Sequence, residues 1–588
     1  MKAIFTNRFE GYSFRNFQKD LLAGIIVGVI AIPLGMSFAI ASGVKPEYGI
    51  YTTCIAGTLI SLLGGSKYQI GGPTGAFIPI LLGIILSYGY ENLLIAGLLA
   101  GILLCLMGIF KLGDLIKFIP RPVTIGFTSG IAVTIFTGQI GSFLGLVGMK
   151  KHEAFLANLN EIFIHINTVN MYSILIAGIC LVVILLTPRI LPKVPGPLVG
   201  LVVSTVIAGI FFSHQVPTIG TAYGSIPSTL PRFHFPHITW DLIQKLIGPA
   251  FVIAMLGGIE SLLSAVVADG MTNSKHNSNR ELIGQGIANI ITPLFGGIPA
   301  TGALARTATN IKSGATSPMS GIIHGVFVLI TLLLLAPYAS GVPLASMAPI
   351  LMVVAWNMSE RKHFAHILKM KSGDSLVLLV TFLLTVFTSL TTAVEVGLVL
   401  AVILFAKQMS GMITITKVLP DHKNNQEKVR SHVVNETHNC PQVTIYTIEG
   451  PLFFGAAQTF EQNIMDTIHY APKVLILRMS KVPFIDATGE AYLRNIVKHF
   501  TSHGGIVLIS EIKSQVKETL KQNGLYHEIG EANFFEHTGD AISFSISQLD
   551  RNICLACNNF AFRECSHLSQ PFQKERVQTK LGKEVSVK

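Results

Sequence analysis

The sequence predicts an all-helical polytopic membrane domain followed by a small α/β domain. The 588-residue chain has a mean hydropathy of +0.57, half of its residues are hydrophobic, and only 13% are charged. A soluble globular chain carries roughly 25% charged residues. Apolar runs long enough to cross a hydrocarbon core of roughly 30 Å recur from residue 21 onward. After residue 417 the composition turns polar, which indicates a second domain outside the bilayer.

Apolar segments between residues 21 and 417 are the predicted spans, about fourteen in number and some of them short. They lie near residues 21–41, 48–64, 74–89, 92–110, 123–148, 171–188, 196–213, 248–268, 281–295, 302–315, 318–338, 343–358, 375–391 and 392–415. A mixed-charge segment, residues 1–20, precedes the first of them. We therefore expect an uncleaved first span rather than a signal peptide.

The distribution of Lys and Arg predicts an even number of spans with both termini in the cytoplasm. If the N-terminus is cytoplasmic, the loops after even-numbered spans are cytoplasmic too, and these loops carry most of the basic loop residues. The long outer connection 214–247 is poor in Lys and Arg, while Lys150 and Lys151 are an exception on the outer side. The same bias explains the net charge of +11 without a nucleic-acid partner.

Two apolar regions are interrupted in the same way, at Gln69–Phe77 (QIGGPTGAF) and at Leu294–Thr307 (LFGGIPATGALART). Each places Gly-Gly and Pro ahead of a Thr-Gly-Ala that opens a new helix. Because an odd number of spans separates the two regions, they predict two halves of seven spans with inverted topology. Half-helices that begin at such breaks direct unpaired N–H groups and positive dipole ends at one place, where an anion binds. The alternative is two independent proline kinks whose backbone groups pair with neighbouring helices.

Glu260 is an ionisable residue deep in the eighth predicted span. Such residues are costly in a bilayer and mark functional sites by default. Helical spacing places Gly257, Glu260 and Ser264 on one face, where Ser264 adds a hydroxyl ligand. A carboxylate beside an anion site suggests coupling, with Glu260 neutralised by H⁺ or Na⁺ when the anion is bound. The alternative is a protonated, structural carboxyl, and Asp269 at the end of the span is interpreted as a solvated boundary residue.

Arg306 follows the second break by about one helical turn. Its positive charge would reinforce anion binding beside the helix ends. The alternative is a side chain that extends to the membrane interface.

After a polar linker, residues 418–440, strand and helix signals alternate over residues 441–550. This pattern predicts a small α/β domain. The predicted strands are 442–450, 473–480 and 505–510, and the predicted helices are 456–470, 490–500 and 514–524. The domain contains no phosphate-binding loop, nucleophile elbow or metalloprotease motif, so we expect a regulatory domain and no enzyme.

The tail, residues 551–588, contains Cys554, Cys557, Cys565 and His567. A C-x2-C pair with a further Cys and His could supply four tetrahedral zinc ligands. Reduced cytosolic thiols are the alternative. No other cofactor is expected, and the seven scattered cysteines of the chain give no disulfide framework.

Several motifs resemble the sulfate permease (SulP) family, and VPFIDATGEAYL (482–493) resembles the STAS domain of that family. The membrane motifs are IPLGMSFAIASGVKPEYGIYT (32–52), GGSKYQIGGPTGAF (64–77), GGIESLLSAVVADGMT (257–272) and GGIPATGALARTATNIKSGATSP (296–318). The resemblance implies core and gate domains in a seven-plus-seven inverted repeat, the fold of uracil permeases. It also implies an elevator-like alternating-access movement and homodimers.

The resemblance implies a binding site between the third and tenth spans that faces the eighth. Its substrate-binding residues would be Pro73, Thr74, Gly75, Ala76, Phe77, Ala300, Thr301, Gly302, Ala303 and Arg306, with Glu260 and Ser264 for the coupling ion. Family members with Glu at this position resemble proton-coupled carriers, whereas some bicarbonate carriers have Asp there and use Na⁺.

One motif departs from the resemblance. STAS regulators carry Asp-Ser-(Ser/Thr)-Gly at a phosphorylated turn, but this chain has Asp486-Ala487-Thr488-Gly489. The first hydroxyl is missing, and Asp486 and Thr488 are the candidates for a regulatory phosphorylation turn that departs from this pattern. A Thr near a helix start is more often a cap.

The sequence thus predicts a secondary anion transporter in the bacterial inner membrane that carries sulfate or a related small anion with H⁺. The alternatives are a dicarboxylate or Na⁺-coupled bicarbonate transporter, or a membrane-anchored signalling protein whose STAS domain binds a cytosolic protein. A nucleobase permease on the same fold is disfavoured by the STAS domain and Arg306. The expected partners are the anion, H⁺ or Na⁺, the lipid bilayer and a second copy of the chain.

Overall fold

The structure is a computed structural model. It describes residues 12–114, 120–191, 194–212, 215–388, 390–420, 434, 439–455, 460–462, 464–465, 472–557, 559, 561–562 and 565–568. The chain divides into two compact units, Met1–Ala401 and Val402–Lys588.

The first unit is helical, and its principal helices coincide with the predicted spans. In chain order these helices are α1 (Phe14–Ala41), α2 (Pro46–Leu63), α3 (Ile78–Tyr88), α4 (Tyr90–Ile109), α5 (Arg121–Gly138), α6 (Ile140–Leu144), α7 (Phe155–Ile164), α8 (Met171–Ile190), α9 (Gly196–Phe211), α10 (Ile219–Tyr223), α11 (Trp240–Thr272), α12 (Ser278–Ile291), α13 (Leu304–Lys312), α14 (Met319–Ala339), α15 (Leu344–Met358), α16 (Arg361–Lys369), α17 (Gly373–Phe387) and α18 (Leu390–Ser410). Two very short strands, β1 (Gly71–Gly72) and β2 (Thr301–Gly302), interrupt the helices.

Among the described residues, seven helices are long and apolar enough to cross a membrane, and four apolar helices are shorter. The shorter set includes the helix that starts at the first break, Gly75–Tyr88. A half-helix of this length cannot span roughly 30 Å alone, because a helix rises 1.5 Å per residue. The predicted all-helical polytopic domain with interrupted spans is confirmed.

The helices of the first unit pack in two groups that draw on matching parts of both halves. Helices α1–α4 pack with α11–α14, and α5, α8 and α9 pack with α15 and α17. Each half therefore contributes its first four spans to one group and later spans to the other. This arrangement agrees with the predicted repeat.

Helices α1 and α2 approach each other closely through glycine. A Cβ on Gly49 would lie 2.0 Å from the carbonyl oxygen of Gly35, and a Cβ on Gly35 would lie 2.8 Å from Thr53 Oγ1. Small residues allow this approach in membrane helices, where van der Waals packing drives association. The close contact holds α1 against the helix that leads into the first break.

The second unit contains a five-stranded sheet in the order β3-β4-β5-β6-β7. Strand β3 is antiparallel to β4, and the other neighbours are parallel. The strands are β3 (Thr414–Val418), β4 (Val443–Glu449), β5 (Val474–Lys481), β6 (Ile506–Ser510) and β7 (Phe534–Phe535), and the helices among them and after them are α19 (Ala487–Ser502), α20 (Ser514–Gln522), α21 (Leu525–Ile529), α22 (Thr538–Ser547), α23 (Arg551–Leu555) and α24 (Cys565–Leu568).

The α/β domain and its three predicted strands are confirmed, but the sheet extends beyond the predicted bounds. The predicted transport domain ends at residue 417, whereas β3 (Thr414–Val418) is the edge strand of this sheet and pairs with β4. The five residues of β3 are too few to show a clear alternation of polar and apolar residues, so the sequence did not distinguish this strand from the end of the preceding span. Most of the predicted helix at 456–470 lies outside the described residues.

We predict that Gly49→Ala lowers the thermal midpoint of the purified protein. The added methyl group would overlap the Gly35 carbonyl, and overpacking typically costs about 1–3 kcal/mol. Gly178→Ala in α8 is the matched control, because nothing lies within 4 Å of its added Cβ. The control should be neutral or slightly stabilising, since Gly inside a helix costs about 1 kcal/mol relative to Ala. Equal midpoints for both variants would contradict the prediction.

Candidate anion-binding site

The two broken segments predicted from the sequence pair with each other. Strands β1 and β2 are antiparallel, with Gly71 opposite Gly302 and Gly72 opposite Thr301. All four residues are buried. Two stretches that are far apart in the sequence therefore satisfy each other's backbone groups inside the helical unit.

A half-helix begins directly after each strand. The 3₁₀ turn Gly75–Phe77 leads into α3, and α13 begins at Leu304. The N–H of Ala303 donates to the carbonyl of Ile70 at 2.8 Å, which holds the two starts together. First-turn N–H groups of a helix have no intrahelical acceptor, and the helix dipole is positive there. Two such ends side by side form a place that favours an anion.

Helix α11 supports the strand pair through a hydroxyl network. Ser261 Oγ lies 2.8 Å from Thr301 Oγ1 and accepts from the Gly302 N–H at 3.0 Å. Thr301 Oγ1 donates to the Gly257 carbonyl at 2.9 Å, and Gln69 Nε2 donates to the Ser261 carbonyl at 3.1 Å. A Cβ on Gly302 would lie only 1.6 Å from Gln69 Nε2, so this close approach requires glycine. Thr301 is fully buried and uses its hydroxyl within this network.

Glu260 lies against the first half-helix. The Thr74 hydroxyl donates to Glu260 Oε2 at 2.9 Å. Both side chains are half-buried, and Thr74 is the residue that precedes the 3₁₀ turn. The carboxyl is therefore tied to the helix start at which an anion would bind.

Ser264 is fully buried one turn beyond Glu260. Its hydroxyl donates to Thr307 Oγ1 at 3.2 Å, and Thr307 Oγ1 in turn accepts from the Ile70 N–H at 3.1 Å. This hydroxyl connects α11, α13 and the residue before β1. In this structure Ser264 contacts Thr307, so its observed role is to hold these three elements together.

The Arg306 guanidinium is 3% exposed and donates to the carbonyl of Pro73. A Cβ on Gly72 would lie 2.5 Å from Arg306 Nη1. The side chain thus lies along the backbone of the first break and does not extend to a membrane interface. Its charge is held behind the two helix starts, where it adds to their positive potential.

The first half-helix lies next to helices of the other packing group. A Cβ on Gly75 would lie 3.5 Å from Ile135 Cδ1 and from Met358 Sδ, and 3.7 Å from Phe38 Cε1. Ile135 belongs to α5 and Met358 to α15. A Cβ on Gly257 would lie 3.2 Å from Phe77 Cζ, so Phe77 packs on α11. The candidate site is therefore located where the two groups of helices meet.

Three polar residues that the sequence analysis did not select hold the broken segments in place. Asn289 accepts from the Ala300 N–H and donates to the Ala300 carbonyl, both at 2.8 Å. Thr52 Oγ1 accepts from the Ile298 N–H at 2.7 Å. Glu281 Oε2 accepts from the N–H groups of residues 65 and 66 ahead of β1, at 2.7 and 3.0 Å. The sequence signal that could have identified these residues is the position of a polar side chain within an apolar span.

The regulatory candidates lie at the start of α19 in the second unit. Asp486 is the N-cap of this helix, where Oδ1 accepts from the Gly489 N–H at 2.7 Å. Its other oxygen accepts from the Phe454 N–H at 3.0 Å. Thr488 is half-buried in the first turn. The capping position belongs to Asp486, and both of its oxygens are used to hold the turn.

Of the predicted zinc ligands, Cys554, Cys557 and Cys565 lie in the described part of the second unit as free thiols. The side chain of His567 lies outside it. Within the described residues, no three His, Cys, Asp or Glu side chains have the geometry of a formed metal site.

We predict that Asn289→Ala lowers the thermal midpoint strongly. The buried N–H and carbonyl of Ala300 would lose their partners, and a buried unsatisfied polar group costs about 1–3 kcal/mol. Asn92→Ala is the control, because Asn92 is half-buried near a helix start and its amide donates to the Tyr88 carbonyl of the preceding helix. A midpoint for Asn289→Ala that equals that of the control would show that Asn289 does not hold the second break.

Comparison with known proteins identifies the family of this chain. Residues 17–381 match the sulfate permease family, and residues 433–541 match the STAS domain. YvdB of Bacillus subtilis (strain 168) is 56% identical over 91% of this chain and 98% of its own length.

Two solved structures share the fold. The transmembrane domain of the bicarbonate transporter BicA from a cyanobacterium is 31% identical, with a TM-score of 0.59 over 66% of this chain and 98% of that chain. The murine Slc26a9 anion transporter is 19% identical, with a TM-score of 0.81 over 93% of this chain and 97% of that chain. The chain therefore belongs to the sulfate permease family of anion transporters, carries a C-terminal STAS domain, and is not an enzyme.

Proposed function

We propose that this protein is a secondary active transporter that moves sulfate or a related small anion together with H⁺. The observation that carries the proposal is the pairing of β1 with β2, with Glu260 hydrogen-bonded to Thr74 at the edge of the pair. Two positive helix ends supply the anion site, and one carboxyl beside them supplies the cation site. The anion is bound by backbone N–H groups of residues 75–76 and 304–306, supported by the buried charge of Arg306.

Coupling follows from electrostatics at short range. An ionised Glu260 would repel an anion at the adjacent helix start, because solvent screens the repulsion between two charges only weakly at a buried position. A proton on Glu260 removes that repulsion, so anion and proton bind together. The Thr74 hydroxyl, which donates to Glu260 Oε2 at 2.9 Å, transmits the protonation state of the carboxyl to the backbone turn.

Transport in this proposal is an elevator-type movement of α1–α4 and α11–α14 against the other group of helices. The site belongs to the first group and lies next to Ile135 and Met358 of the second. Sliding of the first group carries the bound anion with it past the apolar contacts at Gly75. The protein acts in the bacterial inner membrane as a homodimer with cytoplasmic termini, and the STAS domain takes a cytosolic protein partner.

Bicarbonate is the second candidate substrate, with Na⁺ as the coupling ion. The likeness of the membrane unit to a bicarbonate transporter supports it. The carboxyl at position 260 is Glu rather than the shorter Asp, which favours H⁺ in the proposal.

We predict that Glu260→Gln abolishes proton-driven accumulation in proteoliposomes while leaving exchange of labelled anion across the membrane. The amide stays neutral, so anion binding survives, but no proton can be gained or lost. With wild-type protein, an inward gradient of one pH unit should drive up to about tenfold accumulation in a one-to-one symport, the ratio equivalent to 1.4 kcal/mol. The variant should reach only the outside concentration.

The control for this experiment is Asp241→Asn at the start of the same helix. Asp241 is exposed and pairs with Lys245 at 2.7 Å, so this variant should accumulate anion as wild type does. Gradient-driven accumulation by Glu260→Gln would contradict the coupling role. Dependence on a Na⁺ gradient in place of the pH gradient would favour the second candidate.

We predict that unlabelled sulfate competes with labelled sulfate uptake more strongly than bicarbonate, chloride or a C4-dicarboxylate does. A tetrahedral dianion can accept hydrogen bonds from both helix ends at once, whereas a monoanion offers less charge to the same donors. The measurement is a competition series in proteoliposomes at several pH values. Absence of competition by sulfate, bicarbonate and dicarboxylate alike would contradict the substrate class.

A further inference from the structure

Four of the seven cysteines of the chain line one small cavity in the second unit. They are Cys440, Cys554, Cys557 and Cys565, and the cavity has a volume of about 20 Å³. A volume of this size holds a single water-sized occupant. The residues around it are otherwise apolar or uncharged, with Asn439 and Gln442 as the polar members.

The four thiols come from two distant parts of the sequence. Cys440 lies three residues before β4, Cys554 is in α23, and Cys565 opens α24. The buried side chains of Ala561 and Phe562 pack in the same apolar cluster as β4, and so hold the tail on the sheet. The tail cysteines and His567 are close together in the sequence, whereas Cys440 joins the tail cysteines only in the fold.

Hydrogen-bond donors surround these sulfur atoms. The backbone N–H groups of Gln442 and Val443 face Cys440, and the backbone N–H of Phe562 faces Cys565. The Gln442 amide donates to Cys554 Sγ at 3.3 Å, while its carbonyl oxygen accepts from the Asp550 N–H at 2.9 Å. Outer-shell donors of this kind orient metal ligands and stabilise thiolates. They also connect the Cys440 turn to the turn that begins α23.

We propose that Cys440, Cys554, Cys557 and Cys565 bind one Zn²⁺, with Cys440 rather than His567 as the fourth ligand. Four thiolates suit tetrahedral Zn²⁺, and the C-x2-C pair has the spacing of structural zinc sites. Each thiol releases its proton to solvent as its Zn–S bond forms. Among the described residues the thiols do not form a metal site as they stand, so this proposal requires their side chains to turn toward the cavity centre when Zn²⁺ binds. The ion then fastens the tail to the first parallel strand of the sheet.

The test uses the full-length protein purified in detergent and loaded with Zn²⁺ or Co²⁺. We expect one Zn²⁺ per chain by elemental mass spectrometry after dialysis, and the sulfur-to-cobalt charge-transfer absorption of a thiolate site with Co²⁺. Cys440→Ser and Cys557→Ser should weaken metal affinity by more than about 100-fold, the upper range for loss of an outer-shell partner. His567→Ala should retain the metal.

Cys105→Ser is the matched control, because Cys105 belongs to helix α4 of the first unit. Its metal content should equal that of wild type. The proposal is overturned if wild-type protein holds less than about one tenth of an equivalent of Zn²⁺ under reducing conditions. It is also overturned if Cys440→Ser keeps the metal while His567→Ala loses it. The cobalt spectrum of wild-type protein provides a reading that does not depend on any variant folding.

Discussion

The structure depends on the need to pair backbone polar groups where water is absent. Both broken spans expose N–H and C=O groups at a depth where each unpaired group costs several kcal/mol. The pairing of β1 with β2 meets part of this cost, since each break supplies partners for the other. The inverted arrangement of the two halves makes this possible, because it brings equivalent segments together in antiparallel directions. The N–H groups that remain at the two helix starts are the ones that we propose bind the anion.

Buried side chains satisfy further backbone groups of the two breaks. Ser261 accepts from Gly302, Asn289 pairs with both polar groups of Ala300, and Thr52 pairs with Ile298. Arg306 donates to Pro73. These contacts preorganise the two helix ends, so the protein need not reorganise its dipoles when an anion binds. Glu260 differs from them because it is half-buried and bonded only through the Thr74 hydroxyl, which leaves room for its charge to change.

Sequence patterns were sufficient for the helices and for the two breaks that pair with each other, but not for the contacts of individual side chains. Apolar runs and Gly/Pro interruptions predicted every principal span, and the repeated Thr-Gly-Ala predicted that the two breaks share a site. They did not separate residues that can face an anion from residues that support them. Ser264 and Thr301 were predicted to bind ions, yet both are fully buried and hydrogen-bonded within the protein. Asn289 was not selected, because a single polar residue in an apolar span does not reveal its partner.

The sequence by itself determined which segments enter the membrane, where their helices break, and that a STAS domain follows, because hydropathy, glycine and proline act locally. Only the tertiary structure decided which groups meet across the chain. It paired Gly72 with Thr301, directed Thr74 to Glu260, laid Arg306 along the first break and brought Cys440 to the tail cysteines. These contacts join residues more than one hundred positions apart. No local pattern encodes such distances, since they follow from packing the helices and strands around shared cores.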